Sequence, residues 1–315
     1  MPPLIIALII VLFLTACFFL GCYICFRITF YNSNKDKTPK RYQMPPGKVY
    51  LPYYDKLLSW MKAEENAKSE RVTVTSYDGL TLTGTYYENF KGAPVEIMFH
   101  GYRGNAKRDM CGGINRCFSL KRNVLAVDHR GHGLSDGNII SFGIKERYDV
   151  KTWAEFAEKK FGDKIPLIIT GISMGAATVL MASSLPLPKT VVGVVADCGY
   201  SSGREVIEAT IKNMKLPPKL FYPFVRLGGK IFGGFDIEET SPVEEVKKAK
   251  LPIIILHGTT DETVPYYMGE KIYDACVSEK RLVSFEGAGH GVAFLHDSEK
   301  YITSLSEFEQ NHLKI

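Results

Sequence analysis

From residue 94 onward, short apolar segments alternate with longer segments of helical length, and this alternation constrains the fold more than any other feature of the sequence. Strands are predicted at PVEIMF (94–99), NVLAVD (123–128), PLIIT (166–170), VVGVVAD (191–197), PIIILH (252–257) and RLVSFE (281–286). Most of these segments are continuously apolar, which is typical of strands covered by helices on both faces. The sequence therefore predicts an α/β fold with an open, mostly parallel sheet.

Two further features complete the predicted domain. RVTVTSYDG (71–79) and LTLTGTYYE (80–88) meet at Asp78-Gly79, which favours an antiparallel hairpin at the N-terminal edge of the sheet. Residues 200–240 are longer than an ordinary crossover and rich in Pro, Gly and aromatic residues. We predict that they form a lid-like insertion over the strand ends.

The N-terminal segment carries no charged residue from Leu4 to Phe26. As a helix, these 23 residues would cover roughly 35 Å, which is enough to cross a bilayer. We predict one transmembrane anchor over residues 1–26. A cleaved signal peptide is an alternative, although MPP lacks the usual basic residues. A lipoprotein cleavage site at LTAC, ending at Cys17, is another, although the residues after it stay apolar.

The net charge of +5 lies entirely in residues 27–48, which hold six Lys or Arg residues and one Asp. Residues 49–315 therefore sum to zero. A nucleic-acid-binding domain would carry the basic excess itself, so no nucleic-acid partner is predicted. We predict a basic juxtamembrane linker over residues 27–50 and a single domain over residues 51–315. The positive-inside rule favours a cytoplasmic domain, but the sequence leaves the side of the membrane open.

The segment LIITGISMGAATVL (167–180) joins a predicted strand to a predicted helix through GISMG. In open α/β sheets, reactive groups collect where strands end and helices begin. A serine in such a sharp turn needs small residues two positions before and two positions after it, as Gly171 and Gly175 are. Ser173 is therefore the candidate nucleophile, and it requires a base that is itself oriented by an acid.

His290 and Asp261 are the candidate partners of Ser173. His290 in FEGAGHG follows the last predicted strand, and Asp261 in IIILHGTTDETVP follows the strand before it. One helix and one strand fit between them, which returns His290 to the same edge of the sheet. Asp197 and Glu262 remain alternatives for the acid. No His or Cys spacing indicates a metal site, so neither a metal nor a cofactor is predicted.

The order Ser, Asp, His resembles that of the α/β-hydrolase superfamily, as do the GISMG turn and the loops FHGYRGN and AVDHRGHGLSDG. Within it, the chain is most similar to the membrane-anchored bacterial esterases and the serine aminopeptidase-like branch, over about residues 70–312. The resemblance implies Ser173 as nucleophile, His290 as base and Asp261 as acid. It also implies an oxyanion hole formed by the backbone N–H groups of Tyr102 and Met174.

These residues predict a serine hydrolase that transfers an acyl group to water. The anchor and the apolar insertion favour a small-molecule or lipid-like ester as substrate. A peptidase or aminopeptidase of the same fold is the alternative, and it would need acidic groups near the site, for which Glu205, Glu208 and Asp236 are candidates. A non-catalytic interaction protein on the same scaffold is a second alternative.

Overall fold

The protein is described by a computed structural model that covers residues 2–33 and 42–313. Within these residues, the centre of the molecule is an eight-stranded sheet with the order β1-β2-β4-β3-β5-β6-β7-β8. The pairs β1–β2 and β2–β4 are antiparallel, and the other neighbours are parallel. The strands are β1 (Ser69–Thr75), β2 (Thr81–Tyr87), β3 (Val95–Phe99), β4 (Asn123–Val127), β5 (Leu167–Ile172), β6 (Val191–Asp197), β7 (Ile253–Gly258) and β8 (Lys280–Phe285).

Twelve α-helices lie in the described part of the chain. They are α1 (Pro3–Thr29), α2 (Tyr54–Glu65), α3 (Ala106–Asp109), α4 (Cys111–Ser119), α5 (Glu146–Phe161), α6 (Met174–Ala182), α7 (Gly203–Asn213), α8 (Pro218–Gly228), α9 (Pro242–Val246), α10 (Tyr267–Ala275), α11 (Ala293–His296) and α12 (Ser298–His312). A 3-10 helix spans Lys48–Tyr53, and a π-helix spans Gly229–Gly233.

Helices cover both faces of the sheet, because successive side chains of a strand point to opposite faces and both sets are apolar here. On one face, Trp153 of α5 and Leu180 of α6 pack with Phe99 and other strand residues. On the other face, helices α2, α4 and α12 pack against the alternate strand positions. The predicted fold is confirmed, and each predicted strand lies within two residues of its expected bounds.

Helix α1 ends at Thr29, three residues after the predicted boundary, because its last turns pack on the domain. Phe26 and Phe30 are buried, and the backbone of Tyr31 forms a bridge with Ile139. The N–H of Asn32 donates to the Asn138 carbonyl at 2.8 Å. The first part of the predicted linker is therefore attached to the domain, whereas residues 34–41 of that linker lie outside the described residues.

The predicted insertion at 200–240 contains α7, α8 and the π-helix. Its buried residues form one cluster with Met174 and with Val264 and Met268, which follow β5 and β7. The insertion therefore adjoins the ends of the central strands. The same cluster includes Phe26 of α1 and Phe30 directly after it, so the N-terminal helix and the insertion share a core.

Glu64 in α2 gives a prediction about stability. It is buried and accepts a hydrogen bond from the Tyr87 hydroxyl at 2.5 Å, and burial raises the pKa of its carboxyl to about 7. A carboxyl group whose pKa is raised by folding stabilises the folded state fully only below its unfolded pKa. This contribution is lost as the pH rises towards 7. We expect Glu64→Gln to stabilise the protein at pH 8 by about 3 kcal/mol relative to wild type, with little effect at pH 4. Thermal unfolding at both pH values measures this difference.

The matched control for this prediction is Glu155→Gln, because Glu155 is exposed and its only role in the described structure is a 3.6 Å surface pair with Lys151. Its effect on the unfolding temperature should be small at both pH values. If the unfolding temperatures of Glu64→Gln and wild type depended equally on pH, the expected role of Glu64 would be contradicted.

Candidate active site

Ser173 occupies a strained turn between β5 and α6. Its φ of 56° and ψ of −116° lie outside the regions that residues with a Cβ atom readily adopt. A Cβ atom at Gly171 would overlap the Gly175 carbonyl, and one at Gly175 would overlap the carbonyl oxygen of Phe99. Glycine is therefore required at both positions, because a side chain at either one would collide with the neighbouring backbone. The Ser173 N–H donates to the Asp197 carbonyl at 2.8 Å, which helps to hold the strained turn.

His290 lies in the loop after β8 and connects Ser173 to Asp261. Its Nε2 lies 2.9 Å from Ser173 Oγ, and its Nδ1 lies 2.7 Å from Asp261 Oδ2. Because an ionised carboxylate can only accept, Nδ1 carries the hydrogen and donates to Asp261. Nε2 is then free to accept the hydroxyl hydrogen of Ser173. The three residues predicted from separate loops thus form one hydrogen-bonded chain.

Asp261 is held in its charged form. Burial by itself raises the pKa of this carboxyl. The nearby His257 ring and the hydrogen bonds from the His290 ring and the Val264 N–H outweigh burial and lower the pKa to about 2. The N–H groups of Thr263 and Val264 both donate to Oδ1 at 2.8 Å. Oδ2 is thereby directed at His290.

The two alternative acids lie elsewhere. Asp197 Oδ2 accepts from the Tyr301 hydroxyl at 3.0 Å, and burial raises the pKa of the Asp197 carboxyl to about 6. The side chain of Glu262 is exposed. Asp261 is therefore the carboxylate that contacts the His290 ring, while Asp197 contacts the serine turn through its backbone carbonyl.

The loop after β3 lies directly beside the serine. A Cβ atom at Gly101 would lie 3.5 Å from Ser173 Cβ, so the backbone at Gly101 borders the nucleophile. Tyr102, the next residue, lines the same cavity as Ser173. The Arg103 N–H donates to His132 Nε2 at 3.1 Å, and His132 Nδ1 donates to the Arg130 carbonyl at 2.9 Å. Met174, the other predicted oxyanion residue, is the first residue of α6.

Buried histidines support this loop and stay neutral. His100 Nδ1 donates to the Gly101 carbonyl at 2.7 Å, and His100 Nε2 accepts from the His129 N–H at 3.1 Å. Burial lowers the pKa of His100 and holds that of His132 well below its ordinary value. Their roles are structural: each ring connects the loop after β3 to the loop after β4.

A cavity of about 370 Å³ opens beside Ser173 and His290. Its wall is mainly apolar and includes Leu57, Trp60, Met98, Met110, Ile172 and Phe294. Trp60 and Phe294 stack with ring centroids 5.3 Å apart. Polar groups lie among them, including Asp109, Arg116, Asp197 and Tyr301. Among the described residues that line the cavity, none comes from the insertion at 200–240.

Several cavity residues were not anticipated from the sequence. Trp60 belongs to α2, and Tyr50 belongs to a segment predicted as linker, where it lies against Gly291 beside the catalytic candidate His290. Neither residue is near the GISMG motif in the sequence. No local pattern marks them, because they reach the site only through the packing of α2 and the 3-10 helix on one face of the sheet.

One group of side chains near the site has the donor atoms of a metal ligand set. Donor atoms of Cys198, Asp261 and His290 lie within 4.8 Å of one another. Burial holds the pKa of the Cys198 thiol well above its ordinary value, so the thiolate that a metal requires is disfavoured. Asp261 and His290 are engaged with each other. This group therefore fits a metal poorly.

Comparison with known proteins agrees with the fold. Residues 96–221 match the family model described as serine aminopeptidase, S33. The chain is 25% identical over 249 residues to Bacillus subtilis YqkD, covering 79% of this chain and 81% of that protein. It is 27% identical over 222 residues to the Danio rerio lysophosphatidylserine lipase ABHD12, covering 67% of this chain and 53% of that protein.

Among solved structures, the Pyrococcus furiosus esterase Pf2001 has the same fold. It superposes with a TM-score of 0.66 at 23% identity, covering 86% of this chain and 97% of that one. The sheet order, the strained serine turn between β5 and α6, and these matches agree with one another. The chain therefore has the α/β-hydrolase fold, and its residues 96–221 are similar to the serine aminopeptidase, S33 family.

Proposed function

We propose that this protein is a membrane-anchored serine hydrolase that cleaves carboxylic esters of hydrophobic acyl groups through an acyl-enzyme intermediate. The observation that carries the proposal is the hydrogen-bonded chain from Ser173 Oγ through His290 to Asp261, with distances of 2.9 and 2.7 Å. A serine hydroxyl becomes a nucleophile when a base accepts its proton at the moment of attack. The contacts of His290 with Ser173 Oγ and with Asp261 support that role.

In the proposed reaction, Ser173 Oγ attacks the ester carbonyl carbon while its proton moves to His290 Nε2. Asp261 stabilises the resulting imidazolium through the hydrogen bond at Nδ1. The carbonyl oxygen becomes an oxyanion that accepts hydrogen bonds from the backbone N–H groups of Tyr102 and Met174, each worth about 3 kcal/mol in the transition state. His290 then protonates the leaving alcohol, and a water molecule activated by the same ring hydrolyses the acyl-enzyme.

The cavity supports a hydrophobic acyl group as substrate. Its apolar wall lies directly beside Ser173, and the aromatic stack of Trp60 and Phe294 supplies a flat surface for an alkyl chain. Apolar walls with a few polar groups are typical of small-molecule sites. ABHD12 of Danio rerio is a lysophosphatidylserine lipase by name, which also favours a lipid-like ester.

An aminopeptidase is the second candidate, and one observation favours it. Asp197 lines the cavity, and within the described structure its Oδ1 atom is buried without a hydrogen-bond partner. Such a carboxylate could accept a substrate ammonium group. The acidic candidates predicted in the insertion do not line the cavity. They pair with cations instead: Glu205 with Lys271, Glu208 with Arg204 and Asp236 with Arg226.

The experiment that separates these functions is a parallel assay of the full chain in detergent on p-nitrophenyl acyl esters and aminoacyl p-nitroanilides. We expect kcat/KM for esters of medium chain length to exceed that for the anilides by about 100-fold or more. Faster anilide cleavage, lost in Asp197→Asn, would favour the aminopeptidase. Inactivity towards both classes and towards a fluorophosphonate probe would favour a non-catalytic role.

We also propose the three-part organisation of the chain as anchor, linker and hydrolase domain. The most apolar 18-residue stretch of helix α1 has a mean hydropathy of 3.0, and the rest of the described chain buries none of it. Its first charged residue, Arg27, lies in the last turn. Retention of the full-length protein in carbonate-washed membranes tests the anchor, and cleavage after the helix would identify a signal sequence instead.

A further inference from the structure

The insertion carries a one-sided charge pattern through its middle. Residues 209–235 include five cations and no Asp or Glu. Large apolar side chains are exposed in the same segment, with Met214 at 61%, Leu220 at 57% and Ile231 at 46% exposure. Leu216 and Phe232 are also exposed. We call these five apolar residues, with Lys215 and Lys219, the insertion surface. Lys230 is not included, because its ammonium group pairs with Asp236 at 3.0 Å.

The insertion surface is attached directly to helix α1. Phe224 of α8 packs on Phe18, with ring centroids 5.4 Å apart, and Phe232 packs on Tyr23 at 5.2 Å. At Gly228, a Cβ atom would overlap the backbone oxygen of Cys22. The close approach of α8 to α1 therefore fixes the position of the insertion along the axis of the N-terminal helix.

The length of α1 sets the depth of the insertion relative to a bilayer that the helix spans. A membrane span needs about 20 apolar residues, and the uncharged stretch of α1 runs from Leu4 to Phe26. A span of this length must include Phe18 and reach close to Cys22. The parts of the insertion that contact these residues then lie at or just inside the membrane boundary, where exposed apolar side chains enter lipid and lysines reach the headgroups.

We propose that the insertion surface docks on the bilayer and binds anionic phospholipid in the leaflet that the C-terminal end of α1 enters. The proposal depends on the anchor and not on the hydrolase activity. The exposed apolar residues supply the buried area, and the lysines supply attraction to negatively charged headgroups. Because the same cluster contains Met174, docking would also bring the serine turn close to the lipid surface.

The test uses the full chain in vesicles of phosphatidylcholine with about a third phosphatidylglycerol and with brominated acyl chains. A tryptophan is introduced by Leu220→Trp, and the matched control is Val277→Trp, because Val277 is 67% exposed between α10 and β8. Both variants retain Trp60 and Trp153, so the background emission is the same. We expect the bromolipid to remove roughly half of the added emission at position 220 and little at position 277.

Three outcomes would overturn the proposal. Quenching of the Leu220→Trp emission by aqueous acrylamide but not by bromolipid would place the surface in water. Protection from both quenchers would indicate a protein partner or a second copy of the chain. Unchanged bromolipid quenching in vesicles without phosphatidylglycerol, and in Lys215→Gln/Lys219→Gln, would exclude the role of anionic lipid. Repeating the measurement in Ser173→Ala separates docking from hydrolysis.

Discussion

Ser173→Ala is expected to lower kcat/KM for p-nitrophenyl esters by about 10⁴-fold or more and to abolish labelling by a fluorophosphonate probe. The reason is that, among the hydrogen-bonded residues Ser173, His290 and Asp261, only Ser173 is proposed to form the acyl-enzyme. Removal of its Oγ leaves His290 without a nucleophile to activate. The fold should persist, because alanine has the same backbone requirements in this turn. The measurement is steady-state hydrolysis together with probe labelling on a gel.

Ser184→Ala is the matched control for this prediction. Ser184 follows the C-terminal end of α6, and its hydroxyl bonds to Glu245 and not to the site. Its labelling and kcat/KM should stay within about twofold of wild type. If the probe still labelled Ser173→Ala as well as Ser184→Ala, another residue would be the nucleophile.

Asp261→Asn is expected to lower kcat by about 10⁴-fold with a small change in KM. In the variant, the NH2 group of asparagine can take the place of Oδ2 and donates instead of accepting. The His290 ring would then turn, or carry its hydrogen on Nε2, and that tautomer cannot accept the Ser173 proton. The effect should appear in kcat because Asp261 acts through the base in the transition state. Steady-state kinetics on one soluble ester measures both parameters.

The control for Asp261→Asn is Glu262→Gln, since this neighbouring carboxylate is exposed and lies away from the His290 ring. We expect its kcat to remain within about twofold of wild type. A larger loss of kcat in Asp197→Asn than in Asp261→Asn would instead assign the orienting acid to the end of β6.

Acid unfolding provides an independent test of Asp261. Its pKa is lowered to about 2, so its contribution to stability is present above the ordinary carboxyl pKa and disappears as the pH falls towards 2. This contribution is about 2 kcal/mol. Asp261→Asn should therefore reduce the pH dependence of the unfolding temperature between pH 5 and pH 2.

The strands and the serine turn could be predicted because their signals are local. A continuously apolar segment such as PIIILH has few alternatives to a buried strand, and the turn at Ser173 needs glycine on both sides for steric reasons. The meeting of Ser173, His290 and Asp261 could be expected because parallel strands bring their carboxyl ends to one edge of the sheet. These inferences need only spacing and order.

The cavity and the attachment of α1 could not be predicted in this way. Trp60 and Phe294 are far apart in the sequence, and only the packing of α2 and α11 stacks them beside Ser173. The insertion was expected over the strand ends, yet residues before β1 supply much of the cavity wall and the insertion supplies none of its described lining. Side-chain packing between distant helices leaves no periodic pattern in either segment.

The sequence by itself determined the α/β sheet, the apolar N-terminal helix and the candidate residues Ser173, Asp261 and His290, because each depends on local composition, spacing or chain order. Only the tertiary structure decided which carboxylate contacts His290, which residues enclose the cavity and how α1 meets the insertion. Those properties depend on distances between side chains that are remote in the chain, and close packing sets such distances only after the whole sheet and its helices have assembled.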